Sequence, residues 1–183
     1  QKGNRIYRFL NKWLGLFEIC KTFSGNLYAG EAYEVLIDKE KKLSDLGAGS
    51  LQIFRLLLQI ANVFHEVKIT GNRAFIFLEE PELNLHPKLQ SLLADLLLDV
   101  CDDSNMKINF VVETHSEYFI RKTQVLVKEN QFMKEPAISP FSVIYFDSDL
   151  SQRQMTYRED GRFAESFGTG FFDVSTGLTF QLL

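Results

Sequence analysis

The stretch of sequence that decides the fold is Phe75-Ile76-Phe77-Leu78-Glu79-Glu80-Pro81-Glu82. From Ala74 to Leu78 the chain is continuously apolar and then ends in carboxylates, which is the form of a central strand in a parallel sheet. In open α/β sheets, ligands bind at the carboxyl ends of the strands. A carboxylate pair there can orient Mg²⁺ or its water shell and accept a proton from an attacking water. The same pair can also do no more than solvate the strand end.

A second apolar segment, Ile108 to Val112, predicts another buried strand, and it is followed by Glu113-Thr114-His115-Ser116. If the two strands are neighbours, His115 faces the same crevice as Glu80. A histidine in that position can hydrogen-bond a phosphate oxygen or position a water molecule. The alternative is a capping segment, in which Thr114 or Ser116 begins the next helix.

A glycine-rich loop precedes an apolar helix, and it reads Leu43-Ser44-Asp45-Leu46-Gly47-Ala48-Gly49-Ser50-Leu51-Gln52. Glycines let the backbone approach a ligand closely, and a helix N-terminus offers N–H groups and a partial positive charge to an anion. The loop therefore predicts an anion site, although such loops are often only turns.

Strands and helices alternate through the middle of the chain, which favours an α/β fold with a mainly parallel sheet flanked by helices. We see no internal repeat and expect a single domain over residues 1–183. The remaining predicted elements are helices at 4–20, 51–64 and 116–128, a helix from Pro87, a loop at 21–30, a strand at 32–38, a turn at Gly71–Asn72 and a hairpin of 141–146 with 153–158.

The composition is that of an ordinary globular protein: 183 residues, 45% apolar, 24% charged and a formal net charge of −4. Because the net charge is negative, the composition gives no sign of a basic surface that would bind nucleic acid or an anionic membrane. Gln59 and Asp95 interrupt the longest apolar runs, so no segment reaches the roughly 18 residues of a membrane span. Two distant cysteines, Cys20 and Cys101, indicate reduced thiols in a cytoplasmic protein.

Taken together and in this order, the three motifs resemble the C-terminal half of an ABC-type ATPase head in the SMC/RecF-like branch of the AAA and P-loop ATPases. Ser44 to Gln52 resembles a divergent signature motif, and Phe75 to Glu80 resembles a Walker B motif in which Glu79 replaces the usual Asp. Pro81 to Pro87 is similar to the D-loop, and Thr114-His115-Ser116 to the switch-histidine loop. The Glu-Glu-Pro-Glu…Leu-His-Pro string is typical of this branch, which includes the ATPases of overcoming-lysogenisation-defect nucleases and anti-phage systems.

The resemblance implies a role for each matching residue. Glu80 would polarise the attacking water, His115 would contact the γ-phosphate, and Glu79 would hold the Mg²⁺ shell. The signature residues would touch ATP held by a second head in a head-to-tail homodimer; they are Gly47, Gly49, Ser50 and Gln52. The resemblance leaves open whether Ser44 or Ser50 is the signature serine, and we favour Ser50. It also implies that ATP hydrolysis drives an attached effector protein or a DNA-related task such as repair or anti-phage defence.

One part of the family pattern is missing from this sequence. No Gly-Lys dipeptide occurs, so there is no Walker A motif. The chain begins at Gln1 and runs straight into an amphipathic pattern, so we expect a piece of a longer protein whose N-terminal part carries Walker A.

Two other function classes stay open. The first is an ATPase-like scaffold that does not hydrolyse ATP and recruits an effector such as a nuclease. The second is a metal nuclease that uses Glu79, Glu80 and Glu82, which would need neither the glycine loop nor the histidine. A Walker A motif upstream would favour the ATPase.

Overall fold

The computed structural model describes residues 5–28, 32–39, 41–133 and 139–182. The chain divides into two compact units, Gln1–Thr114 and His115–Leu183. Because two compact units can belong to one domain, the single domain stays a prediction. The helices and strands are α1 (Arg5–Leu16), β1 (Phe23–Tyr28), β2 (Ala32–Ile37), β3 (Lys41–Lys42), α2 (Ala48–Thr70), β4 (Ala74–Glu79), α3 (Pro87–Asp103), β5 (Ile108–Glu113), α4 (Glu117–Glu129), β6 (Val143–Phe146), β7 (Gln152–Met155) and α5 (Val174–Phe180).

The described strands form three small sheets. β1, β2 and β3 make an antiparallel sheet in that order, β4 and β5 make a parallel pair, and β6 and β7 make an antiparallel pair. The predicted α/β class is confirmed, but the mainly parallel sheet is wrong for the described strands. The reason lies in the connections within each sheet: β4 and β5 are joined by the helix α3, the crossover that a parallel pair needs, whereas the strands of the other two sheets follow each other without a helix between them. Strands that follow each other after a short turn pair antiparallel instead.

The parallel pair is covered on only one face by the described residues. Ile76 and Ile108 are buried, and α2 and α3 both pack against β5. On the opposite face Phe75 and Phe77 are 62% and 73% exposed, and Val111 is also exposed. The continuous apolar runs of both strands predicted that they are buried on both faces. That prediction is wrong for the described residues, which leave one face exposed.

The helices of the first unit also contact one another. α1 lies against α2, and its Trp13 indole N–H donates to Asp99 of α3 at 2.9 Å. α2 is longer than the predicted 51–64, and it ends at Gly71, whose left-handed backbone (φ 72°) confirms the predicted turn. α3 begins at Pro87, as predicted, because proline at the first helical position loses no needed hydrogen bond.

The predicted loop at 21–30 is wrong, since Phe23–Tyr28 is strand β1. All six residues of β1 pair in register with β2, from Phe23 opposite Ile37 to Tyr28 opposite Ala32. Ladder pairing here overrides the turn preference of the Ser24-Gly25-Asn26 sequence. The predicted strand at 32–38 is confirmed by β2.

The second unit contains α4, the predicted hairpin of β6 and β7, and the tail. Ser116 caps α4 by accepting from the Phe119 N–H at 3.1 Å. In the hairpin, the Asp147 carboxylate accepts two hydrogen bonds from the Arg153 guanidinium, at 2.7 and 2.9 Å. The tail, which sequence reasoning left unassigned, is held by a cluster of rings that comprises Tyr145, Tyr157, Phe163, Phe167, Phe171 and Phe172.

Both cysteines carry free thiols, as predicted. Burial raises the pKa of the Cys101 thiol to about 11. Among the residues that the structure describes, no helix is both long and apolar enough to cross a bilayer.

Candidate functional site

The two parallel strands bring their acidic ends to the same edge of the sheet. β4 and β5 pair over their whole length, and Glu79 lies opposite Glu113 in the register. The Glu80 N–H donates to the Glu113 carbonyl at 2.9 Å, which extends the ladder one residue past β4. The neighbouring strands that the sequence analysis required are therefore present. Glu113 is a further carboxylate at this edge; the sequence predicted its place in the polar segment after the second strand but assigned it no role.

Glu80 adopts a backbone conformation that is unusual for a residue with a side chain. Its φ is 41°, in the left-handed region, and Asn84 four residues later has a φ of 59°. Between them the chain turns sharply, with the Leu83 N–H bonded to the Glu80 carbonyl at 3.1 Å. We call residues 80–85 the Glu80 turn. A glutamate in this region costs of order 1–3 kcal/mol and persists only when the surroundings hold it.

The first turn of α2 lies directly against the Glu80 turn. The Gln52 side-chain amide donates to the carbonyl oxygens of Glu80 and Pro81 at 3.4 and 3.3 Å. Gly49 is buried, and a Cβ there would collide with the Asn84 carbonyl oxygen. Close approach of two backbones explains the glycine at position 49. The amide nitrogen of Gln52, predicted to contact nucleotide, is thus used by the Glu80 turn.

The start of α2 has the general features that a helix N-terminus offers to an anion, and the anion site itself stays a prediction. Gly47 is the N-cap, and the first bond of the helix runs from the Leu51 N–H to the Gly47 carbonyl at 3.0 Å. The N–H groups of Ala48, Gly49 and Ser50 come before that bond, as at every helix N-terminus. A Cβ at Gly47 would meet no heavy atom of the described residues within 4 Å.

The two candidate signature serines lie in different local structures. Ser50 is half-buried in the first turn of α2, whereas Ser44 is exposed in the 3-10 helix Leu43–Asp45. The Ser44 hydroxyl lies 3.4 Å from an oxygen of Asp45. The preference for Ser50 stays a prediction.

A buried carboxylate links the Glu80 turn to the end of β5. Glu82 is only 7% exposed, and its Oε1 accepts from the Thr114 hydroxyl at 2.7 Å. His115 follows Thr114 in the chain, is exposed, and is the first residue of the second unit. Its predicted position facing Glu80 stays a prediction. The sequence suggested Glu82 only as a catalytic carboxylate, and no local pattern indicated its bond to Thr114.

The structure also places Glu79 and His86, which lie on either side of the Glu80 turn in the sequence. Glu79 is exposed at the end of β4. His86 caps α3, because its Nδ1 accepts from the Lys88 N–H at 3.4 Å. Within the described ranges, no three His, Cys, Asp or Glu side chains cluster tightly enough to hold a metal ion by themselves.

These features define a class: an α/β protein with carboxylates at the carboxyl edge of a parallel strand pair and a glycine-rich helix start packed beside them. A family model described as an AAA ATPase domain matches residues 4–120, which is more than half of the chain and spans all three motifs. The chain belongs to this family of AAA ATPase domains. Membership implies ATP as the nucleotide.

The chain is also similar to a solved chain from work on the ATP-driven dimerization and DNA-stimulated activation of SMC ATPases. The two are 13% identical, with a TM-score of 0.48, and the match covers 97% of this chain and 90% of the other. No curated protein matches this chain.

Proposed function

We propose that this chain is the C-terminal lobe of an ABC-type ATPase head, of the SMC/RecF-like kind, which hydrolyses ATP in a head-to-tail dimer. The observation that supports it best is the parallel register of β4 and β5, which sets the Glu79–Glu80 pair beside the Glu113–Thr114 strand end. The packing of Gly49 and Gln52 on the Glu80 turn adds the glycine-rich helix to the same assembly.

The side chains at the strand ends suit the metal and water side of an ATP site. Mg²⁺ prefers oxygen ligands and usually keeps several waters, so one protein carboxylate is enough when phosphates supply the rest. Glu79, which is exposed at the end of β4, would hold the Mg²⁺ ion or the water molecules around it. When bound, Mg²⁺ neutralises charge that develops on the phosphates.

Glu80 is the residue we assign to the attacking water. Its carboxylate would accept a proton from the water, and its left-handed backbone fixes the direction in which the side chain leaves the strand end. We assign His115 to a hydrogen bond with the γ-phosphate. Both assignments need the nucleotide to lie along this edge of the sheet.

The helix start of α2 is the surface we assign to the nucleotide of the second head. Gly47 leaves open space above the N-cap, and the first-turn N–H groups with the Ser50 hydroxyl would meet the phosphate oxygens. Gln52 would hold this turn in place through the Glu80 and Pro81 carbonyls rather than touch the nucleotide directly.

The phosphate cradle must come from elsewhere, and we propose an N-terminal part of the same protein with a Walker A motif. The exposed face that carries Phe75, Phe77 and Val111 supports this, because parallel strands in α/β proteins are normally covered on both faces. An effector protein or DNA would couple to the dimer. The alternative of a scaffold without ATP turnover keeps the same surfaces and differs only in the chemistry.

The test is ATP turnover by the protein that joins this chain to its Walker A part. Glu80→Gln should slow hydrolysis by about 10²–10⁴-fold and keep ATP binding, because only the base is removed. The matched control is Glu66→Gln, an exposed carboxylate on α2, which should leave the rate unchanged. Turnover that Glu80→Gln does not slow would refute the role of Glu80. Tight ATP binding with no turnover in the unaltered protein would favour the scaffold.

A further inference from the structure

Glu82 is a carboxylate in an unusual place, since glutamate is rarely buried. It is 7% exposed and accepts the Thr114 hydroxyl at 2.7 Å. Both residues belong to the first unit, and they join the Glu80 turn to the end of β5. A hydrogen bond of this length to a buried carboxylate is among the stronger ones in proteins.

Two bonds tie the same pair of chain segments together. The Glu80 N–H donates to the Glu113 carbonyl, and one residue further along β5 the Thr114 hydroxyl donates to Glu82. They close a small ring around Glu80 and restrict its backbone from both sides. The left-handed φ of Glu80 needs such restraint, because a strained residue relaxes when its surroundings allow it.

We propose that Glu82 is a positioning residue, which holds Glu80 in its strained conformation through the hydrogen bond from Thr114. The inference rests on the proposed function for its catalytic consequence, but the restraint on the Glu80 backbone stands apart from it. We assign Glu82 no role as a base, because the residue is only 7% exposed and its Oε1 already accepts the Thr114 hydroxyl.

The first experiment measures ATP turnover in the protein joined to its Walker A part, with two pairs of variants. Glu82→Leu and Thr114→Val each remove one partner of the hydrogen bond. Glu82→Gln and Thr114→Ser keep an oxygen acceptor and a hydroxyl donor. We expect kcat to fall about 10- to 100-fold in the first pair with KM for ATP unchanged, because a misplaced catalytic group slows the chemical step and not binding. The second pair should restore most of the rate.

The double variant Glu82→Leu/Thr114→Val should be no slower than either single variant, because both remove the same interaction. Glu82→Gln as slow as Glu82→Leu would overturn the proposal, since it would mean that the charge of Glu82 acts in the chemistry. Thr114→Val with unchanged kcat would overturn it as well.

The second experiment needs no ATPase activity, so it separates this inference from the proposed function. Hydrogen exchange at the Glu80 amide of the 183-residue chain reports the bond to Glu113 directly. Thr114→Val should speed this exchange by about tenfold through local opening, whereas amides in the middle of α3 should not change. If the unaltered protein hydrolyses no ATP, the proposed function fails and this measurement still decides the restraint. Unchanged exchange at Glu80 would refute it.

Discussion

Gly49→Ala gives the sharpest test of how α2 meets the Glu80 turn. The added methyl group would collide with the Asn84 carbonyl oxygen and would lie 3.1 Å from both the Asn84 carbonyl carbon and Leu85 Cδ2. Two of these three atoms are backbone, so the neighbours cannot rotate away and one turn must move by about 1 Å, which overpacking studies put at about 1–3 kcal/mol. Alanine returns at most about 1 kcal/mol of helix propensity. We therefore expect a net loss of about 1 kcal/mol in the free energy of unfolding.

Urea unfolding of the 183-residue chain, followed by tryptophan fluorescence, measures this loss. The single tryptophan, Trp13, is 2% exposed on α1, which packs on α2, so it reports on the first unit. A loss of about 1 kcal/mol lowers the midpoint by about 0.5 M urea. The matched control is Gly15→Ala, a helical glycine with no atom within 4 Å of the new Cβ among the described residues, and it should raise stability slightly. Equal effects of the two variants would refute the close contact.

Three further predictions rest on the same kind of argument. Burial raises the pKa of Tyr157 to about 12 from its ordinary value of 10, so the unfolded chain ionises first. The free energy of unfolding should therefore fall by about 2 kcal/mol between pH 10 and 12, and Tyr157→Phe should remove this part of the pH dependence when unfolding is measured against pH. Asp99→Ala leaves the Trp13 indole N–H without its acceptor and should cost about 1–3 kcal/mol by urea unfolding. This is more than the cost of Lys12→Met, which removes an exposed ion pair and the contact of the Lys12 ammonium with the Trp13 ring. Phe77→Ser should change the stability of this chain by less than about 0.5 kcal/mol, whereas Ile76→Ala should cost about 2–5 kcal/mol; similar losses would mean that both faces of β4 are covered.

Sequence reasoning succeeded where one local signal decides the structure. Pro87 indicated the start of α3, Gly71 indicated a turn although the helix before it was predicted to end at residue 64, and the apolar runs before Glu79 and Glu113 indicated two strands. It failed at β1, because residues 23–28 form a strand only through their pairing with β2, and their own side chains do not indicate that pairing.

In the candidate site, too, local sequence patterns predicted some features, whereas the long-range contacts could not be predicted. The carboxylates at the strand ends could be found because they follow continuous apolar runs. The Glu82–Thr114 bond joins residues 32 positions apart, and the Gln52 bonds span 28 and 29 positions. Contacts at such separations follow from the fold and not from residue spacing, so Glu82 was considered only for catalysis and Gln52 only for nucleotide contact.

These long-range contacts change how the motifs should be understood. The glycine-rich helix start and the acidic strand end are separate motifs in the sequence, but Gly49 and Gln52 press on the backbone of the same turn that Glu82 ties to β5. A turn held from both sides cannot shift at one end without strain at the other, because packed backbones do not deform smoothly. A ligand that moved the first turn of α2 would therefore also move Glu80. In the proposed dimer, the nucleotide bound at one head would in this way bias the catalytic carboxylate that serves the other nucleotide.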